Sequence, residues 1–421
     1  MNTIIYPSQL SGTIVSAPSK SITQRALIMA SFLSTKTIIN NPLVSLDTTT
    51  TIEELKKIGI KFTFKNNKII VERPNEFKIS DYTIECNASA TTLRMLLVLF
   101  SNLNEDFVFT GTKKLLQRIK DIDFLALGLR INNDYNFITV KKQTEESLID
   151  ITHTSQSISA FIISKCFHNG SFTLYFKNEL DPYIIMTLKL LNQFGFSYEL
   201  LYIDEKYQLN VKRIKKINKV KINVEGDYTL SSNFLVASTF DEIEIKNLMY
   251  DSIQYDKIIT DTLIAAGIKV TFYPDFIIVH KSDSKPINVD ISKCPDLAFA
   301  YVSLALRTNG KSTITNLQRL IDKESNRLKS IDEILSILNV EHSIIDDTLI
   351  INSTGFIEGG VTIDSFDDHR VIFMITSIAS IINKEIKILN SDAINKSYPN
   401  FFDDFAKVGG KFKHEDIGIQ E

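Results

Sequence analysis

Six times along the chain an apolar run of helical length recurs, at residues 26–33, 93–100, 158–163, 234–240, 297–306 and 371–382. Their starts lie roughly 65–75 residues apart, a spacing that signals an internal repeat rather than one continuous fold. Behind these runs come short alternating strands, as at 171–176, 242–246, 312–316 and 385–389. A loop, a second amphipathic helix and often a glycine follow, and then one or two more strands. The third repeat reads as a helix over 183–194, Gly195 as its stop, and a hairpin of 197–202 with 207–211. The fourth reads as helix 256–266, Gly267, strand 269–272, a Pro274-Asp275 turn and strand 276–280. The first does the same with 48–58, Gly59, and strands on either side of Asn66-Asn67.

The first helix of each repeat is apolar nearly all round, which predicts burial, whereas the second is one-sided and belongs at a surface. The expected class is therefore α/β, with helices inside and sheets outside. Six such repeats in 421 residues exceed one core. We divide them three and three near Val224-Glu225-Gly226-Asp227, giving domains of 14–225 and of 1–13 plus 226–421. The sixth repeat lacks a final strand after Gly410, and residues 3–6 form a spare one. The expectation is that the N-terminal strand crosses over to complete the second domain.

Composition excludes several classes of function. Hydrophobic content of 44% with 23% charged residues is that of a soluble globular chain. A net charge of -3, with no Lys/Arg run interleaved with aromatics, argues against nucleic acid. No apolar run reaches about 18 residues, and residues 1–9 lack the order of a signal peptide, so no membrane partner and a cytoplasmic location are expected. Cys86, Cys166 and Cys294 are odd in number and widely spaced, and the six histidines show no ligand spacing. Neither disulfide nor metal is indicated. Gly310-Lys311-Ser312 resembles the end of a P-loop, but Ala305 stands where the earlier glycine is required, so the match is rejected.

Polar residues collect at the helix starts. Pro18 and then Ser19-Lys20-Ser21-Ile22-Thr23-Gln24-Arg25 write a helix N-terminus, where free N–H groups and the dipole favour an anion. The alternative is a helix whose Lys and Arg snorkel on a wet face. Ser89-Ala90-Thr91-Thr92 with Arg94, Thr154-Ser155-Gln156, Asp296 and Asp368-His369-Arg370 open other buried helices. Arg118, Tyr183, Lys323-Glu324 with Arg327, and Lys396 lie in the connections to the second helices. Convergence of these starts from two domains predicts a cleft lined by cations, suited to substrates carrying several phosphates and carboxylates. Asp296 and Glu324 are candidates for proton transfer, with Lys20 as an acidic partner whose pKa neighbouring cations would lower. Alternatively Asp296 caps a helix after Pro295, and His369 is a core histidine.

These residues resemble the EPSP synthase family, the 3-phosphoshikimate 1-carboxyvinyltransferases, from about Gly12 to Phe402. The Ser19–Arg25 stretch is similar to the signature around the family's substrate lysine. Asp368-His369-Arg370 resembles its Asp-His-Arg motif, and Lys323-Glu324-Ser325-Asn326-Arg327 its Lys-Glu-x-x-Arg. Thr154-Ser155-Gln156, Asp181-Pro182-Tyr183, Glu225-Gly226-Asp227, Pro295-Asp296 and Lys396 complete an ordered set. The resemblance implies two domains of three βαβαββ repeats each, an inside-out α/β barrel with the shikimate 3-phosphate side in the first domain and phosphoenolpyruvate in the cleft. It implies transfer of the enolpyruvyl group of phosphoenolpyruvate to the 5-hydroxyl of shikimate 3-phosphate, without a cofactor; a monomer is expected. Lys20, Ser21, Arg25, Thr154, Ser155, Gln156, Tyr183, Asp296 and Lys323 would hold shikimate 3-phosphate. Lys20, Ala90, Arg118, Gln156, Arg327, Arg370 and Lys396 would hold phosphoenolpyruvate. Asp296 would take the hydroxyl proton, and Lys20 and Glu324 would serve the methylene carbon.

The chain departs from the family where Gly-Asn-x-Gly-Thr becomes Asn87-Ala88-Ser89-Ala90-Thr91. The Ala90 methyl is expected to narrow the phosphoenolpyruvate pocket and to confer tolerance of glyphosate, an inhibitor of the family. Leu180 replaces a serine before Asp181, and Ile119 a proline after Arg118. Two other readings are carried: the sister transferase acting on UDP-N-acetylglucosamine, against which stands the lack of a cysteine over 111–118, and a non-catalytic paralogue that binds phosphoanions.

Overall fold

The computed structural model describes residues 1–103, 105–142, 148–150, 155–237, 242–321, 323 and 325–415. It divides into two compact units, a continuous one of Pro18–Val224 and a discontinuous one of Met1–Ala17 with Glu225–Glu421. The continuous unit is built on three core helices, α1 (Lys20–Leu33), α2 (Ala90–Phe100) and α3 (Ser155–His168). The discontinuous unit has α4 (Tyr228–Ala237), α5 (Ala298–Arg307) and α6 (His369–Ser377). Every residue of α4, α5 and α6 is buried, as is α1 from Ile22 to Phe32. All-round apolarity has its expected consequence. Three of the helices, α1, α2 and α6, nonetheless start upstream of their apolar runs, because polar caps begin them: Ser19 accepts from the Ile22 N–H, Ser89 from Thr92 and Asp368 from Arg370. The last helix stops at Ser377 rather than 382, since the Ile381 carbonyl accepts from the Ile357 N–H and Ile382 bridges Ile357.

Side-chain contacts show that the three helices of each unit run parallel. At one end of the continuous unit Gln24 of α1 donates to Ser89, the cap of α2, at 3.5 Å, and Gln156 of α3 donates to Thr91 of α2 at 2.7 Å. In the discontinuous unit Asp296, just ahead of α5, lies 3.5 Å from Arg370 in the first turn of α6. At the other end Arg307, the last residue of α5, donates to the Val236 carbonyl of α4 and, at 3.0 Å, to Ser380 beyond α6. Arg213 likewise donates to the Cys166 carbonyl near the end of α3 at 2.7 Å. Arginine thus meets the negative ends of these dipoles.

Among the described residues six small sheets of three or four strands lie around the helices. They are separate, and among the described residues no strands close into a barrel. Five share one order: a leading strand parallel to its neighbour, then two antiparallel strands. In the second repeat these are Thr83–Glu85, Val108–Thr110, Ile138–Lys142 and Leu129–Asn133. In the third repeat the leading position holds, among the described residues, a single parallel bridge, Ile149 to Phe176. Hairpin turns use residues that tolerate positive φ, Asn66-Asn67 at 43° and 54° and Asp204-Glu205 at 50° and 60°. Gly195, at φ +86°, ends a helix where an added Cβ would run into the Lys215 carbonyl.

Three strands are supplied from far along the chain. Lys219–Asn223 leads the first repeat's sheet, parallel to Lys36–Asn40, and Gly12–Val15 leads the fourth's, parallel to Ile243–Lys246. Asn2–Tyr6 lies antiparallel between Ile386–Leu389 and Lys411–Glu415 in the sixth. An interior strand position filled from the N-terminus makes those residues part of the core, and Ile5 is fully buried. Ile5→Ala is expected to lower unfolding stability by about 2–5 kcal/mol, read as a lower urea midpoint of the transition that includes the discontinuous unit. An unchanged midpoint would show that this strand is dispensable.

Candidate active site

The site residues of the continuous unit stand at its helix N-termini. Lys20, Ala90 and Ser155 are the first residues of α1, α2 and α3. The Lys20 ammonium lies 3.1 Å from the Asp47 carboxylate, in the first turn of Leu46–Lys56. Lys20 thus faces a carboxylate, where the sequence reading looked to neighbouring cations. Gln156 joins two helices: its amide donates to Thr91 at 2.7 Å, and its carbonyl accepts from Arg94 at 3.1 Å. Arg94 also donates to the Arg118 carbonyl at 3.3 Å, which ties the connection carrying Arg118 to α2. Ser21 and Tyr183 are half-buried, while Ser155 is buried. Thr154 falls outside the described residues.

Arg25 is 2% exposed. It donates to Thr187 at 2.9 Å, to the Ser21 carbonyl at 3.1 Å and to the Tyr183 carbonyl at 3.4 Å, with its guanidinium over the Tyr183 ring. Two of its five N–H groups therefore fasten the helix Pro182–Leu191 to α1, a third bonds back within α1, and two remain. Burial pushes its pKa down to about 10, against weaker support from Tyr183 and Asp181. A guanidinium held so tightly stays charged and draws anions.

The loop that departs from the glycine pattern keeps its backbone shape. Asn87 occupies the first glycine's place at φ +50°, a conformation asparagine tolerates, and its carbonyl accepts from Thr112 at 2.7 Å. Ala90 begins α2 and is half-exposed, so its methyl adds bulk without backbone strain. Leu180 and Ile119 are core residues at 3% and 4% exposure.

In the discontinuous unit one carboxylate gathers three cations. Asp296, in a single turn ahead of α5, lies 2.7 Å from Arg327, 3.3 Å from Lys323 and 3.5 Å from Arg370. Burial alone would raise its pKa, but Lys323, Arg370 and Arg327 hold it well below the usual carboxylate range. A quarter of its side chain stays exposed. Behind it Asp368, fully buried, caps α6 and takes the Arg327 Nε at 2.8 Å and the Ser325 hydroxyl at 3.2 Å. Asp368 thereby aims Arg327 at Asp296. Lys396 donates to the Asp367 carbonyl at 2.9 Å, next to two consecutive positive-φ residues, Phe366 and Asp367. His369 is buried against the Phe373 ring, as its core alternative proposed. Glu324 falls outside the described residues.

A sequence profile of the family described as EPSP synthase (3-phosphoshikimate 1-carboxyvinyltransferase) matches residues 5–405. The chain belongs to the EPSP synthase family. Among its relatives in that family, a 3-phosphoshikimate 1-carboxyvinyltransferase of Clostridium novyi is 31% identical over 97% of this chain and 98% of its own. One of Pyrococcus furiosus is 30% identical over 96% and 99%. The fold matches a solved EPSP synthase of Acinetobacter baumannii at TM-score 0.78 and 17% identity, covering 98% of this chain and 100% of that one. It also matches the enolpyruvyl transferase NikO of Streptomyces tendae at 0.77 and 14%, covering 98% of each. Among the described residues no group of three or more His, Cys, Asp or Glu is placed to hold a metal, and no helix is long and apolar enough to cross a membrane.

At this candidate site Asp47 is not singled out from sequence, and Asp368, read there as part of the Asp-His-Arg triplet, is not given its role as the anchor of Arg327. Each carries a visible signal, an acid in the first turn or at the cap of a helix. The depressed pKa of Asp296 sets a pH dependence. Below about pH 4 the unfolded chain takes up a proton that folded Asp296 refuses, so its contribution to stability, full above that pH, is lost as pH falls. Asp296→Asn removes this component, and urea midpoints measured from about pH 5 to 3 are expected to decline less steeply in the variant. Parallel declines would place the acid sensitivity elsewhere.

Proposed function

We propose that the chain transfers the enolpyruvyl group of phosphoenolpyruvate to the 5-hydroxyl of shikimate 3-phosphate, giving 5-enolpyruvylshikimate 3-phosphate and phosphate. It acts as a monomer, without cofactor, in the supply of aromatic amino acids. The observation that carries this reading is the gathering of Lys323, Arg327 and Arg370 on one carboxylate, Asp296, in a chain of this family. Arg327 and Arg370, with Lys20, Ala90, Arg118, Gln156 and Lys396, receive phosphoenolpyruvate. Lys20, Ser21, Arg25, Thr154, Ser155, Gln156, Tyr183, Asp296 and Lys323 receive shikimate 3-phosphate. The named relatives favour this reading over the UDP-N-acetylglucosamine transferase and over a binding-only paralogue.

The chemistry runs in two steps. The hydroxyl oxygen attacks C2 of phosphoenolpyruvate, its proton passing to Asp296, while the ammonium of Lys20 protonates the methylene carbon. The tetrahedral intermediate then loses phosphate by C–O cleavage and a proton from the new methyl, restoring the double bond, with Glu324 serving the same carbon. Fixed positive charge stabilises the departing phosphate. The same cations restrain Asp296. Anionic groups of the substrate compete for Arg327 and Arg370, which raises the proton affinity of Asp296 once the substrate is bound.

Phosphate release from phosphoenolpyruvate is expected to depend on shikimate 3-phosphate and to fall by about two to four orders of magnitude in Asp296→Ala. Release without shikimate 3-phosphate, or an unaffected variant, would count against the reading. The restraint on Asp296 predicts that the acid limb of kcat lies at higher pH than that of kcat/KM, since the two report the bound and free enzyme. Coincident limbs would exclude the competition. Ala90 predicts tolerance of glyphosate, which micromolar inhibition in a competition assay would refute.

A further inference from the structure

Between α4, α5 and α6 lies a small pocket with about 10 Å³ of space, the room of one water molecule. Its polar lining is Ser232 and Asn233 of α4, Asp296 and Ser303 at the start of and within α5, and Arg370 and Ser377 of α6. Two atoms of this lining are buried without a hydrogen-bond partner, Oδ1 of Asn233 and Nε of Arg370. Both residues are more than nine-tenths buried, at 3% and 7% exposure. Two such groups in one small cavity call for a common partner.

The chemistry of the lining selects that partner. Ser232 donates to the Thr229 carbonyl at 2.7 Å, Ser303 to Phe299 at 3.0 Å and Ser377 to Met374 at 2.8 Å. With their protons committed to their own helices, the three hydroxyls offer only lone pairs, as do Asn233 Oδ1 and the Asp296 carboxylate. The donors of the lining are the Arg370 Nε–H and the Asn233 amide N–H groups, and of these the Arg370 Nε is a buried atom without a partner. A cation is disfavoured by the adjoining guanidinium, and an anion by the surrounding acceptors. A neutral molecule that both accepts and donates satisfies both atoms, and the space has the size of one water.

We infer that this cavity holds one structural water that accepts from Nε of Arg370 and donates to Oδ1 of Asn233, making Asn233 a positioning residue for Arg370. The bridge ties the Arg370 guanidinium to α4 through its inner edge, which leaves Nη1 and Nη2 to face Asp296 and the substrate. The role in catalysis rests on the proposed reaction, whereas the water does not.

The test begins with a crystal structure of the unaltered chain at a resolution that shows ordered solvent. One peak within about 3.2 Å of both atoms is expected. An empty cavity, or a direct bond between Asn233 and Arg370, overturns the inference. Asn233→Leu fills the cavity and removes the acceptor. KM for phosphoenolpyruvate is then expected to rise about tenfold, with kcat and KM for shikimate 3-phosphate changing less than about threefold. Asn233→Ala instead leaves room for solvent at Nε, and a smaller rise in the same KM is expected. An unchanged KM for phosphoenolpyruvate in Asn233→Leu, or equal losses in all constants, overturns the positioning role. Inactivity of the unaltered chain bears on the reaction alone, and the density still decides the water.

Discussion

Three helices packed side by side with their dipoles parallel are the constraint to which the rest of each unit answers. Parallel dipoles repel, so burial of all-round apolar surface must hold them together. At their C-terminal ends the concentrated negative potential is met by Arg307 in one unit and Arg213 in the other. At the opposite ends the positive potential is left for anions. This explains why α1, α2 and α3 begin on Lys20, Ala90 and Ser155, and why α5 and α6 begin beside Asp296 and Arg370. The site is a property of the helix arrangement, elaborated by side chains.

Cations are held there in two physically different ways. Arg327 is fully buried and spans two carboxylates, one of them the buried cap of α6. Its orientation is set by charge. Arg25 is equally buried, but its hydrogen bonds go to a hydroxyl and two backbone carbonyls, and burial weakens its hold on its proton. The first arrangement trades one carboxylate partner for an incoming anion; the second offers a charge that neutral groups have compensated only in part.

Much of this was legible in the chain because burial imposes composition. A core helix surrounded by other helices must be apolar on every face, so the six runs stood out and the α/β repeat followed. Turns such as Asn66-Asn67 and Gly195 were equally readable, since few residues adopt positive φ. What escaped depends on partners distant in sequence. Nothing local to Asp47 says that it meets Lys20, and nothing in the Asp-His-Arg triplet says that Asp368 orients Arg327. The helix ending at Ser377 was read as longer because Ile378–Ile382 is as apolar as what precedes it. Only the pairing of Ile357 with residues 381 and 382 stops it. Separation of the sheets from one another was likewise invisible, because strand edges are decided in three dimensions.

The strand Asn2–Tyr6 has a consequence for the order in which a ribosome can deliver this protein. The continuous unit emerges whole, with every strand of its sheets, once residue 224 has left the tunnel. Its partner is in the opposite position: the segment that fills the interior of its last sheet is made before the continuous unit, and the neighbours it needs, 386–389 and 411–415, are made after it. At about 5–20 residues per second, that leader waits tens of seconds as an unpaired tail. Maturation is therefore ordered by connectivity, with the continuous unit settled before the other can be closed by the strand Asn2–Tyr6.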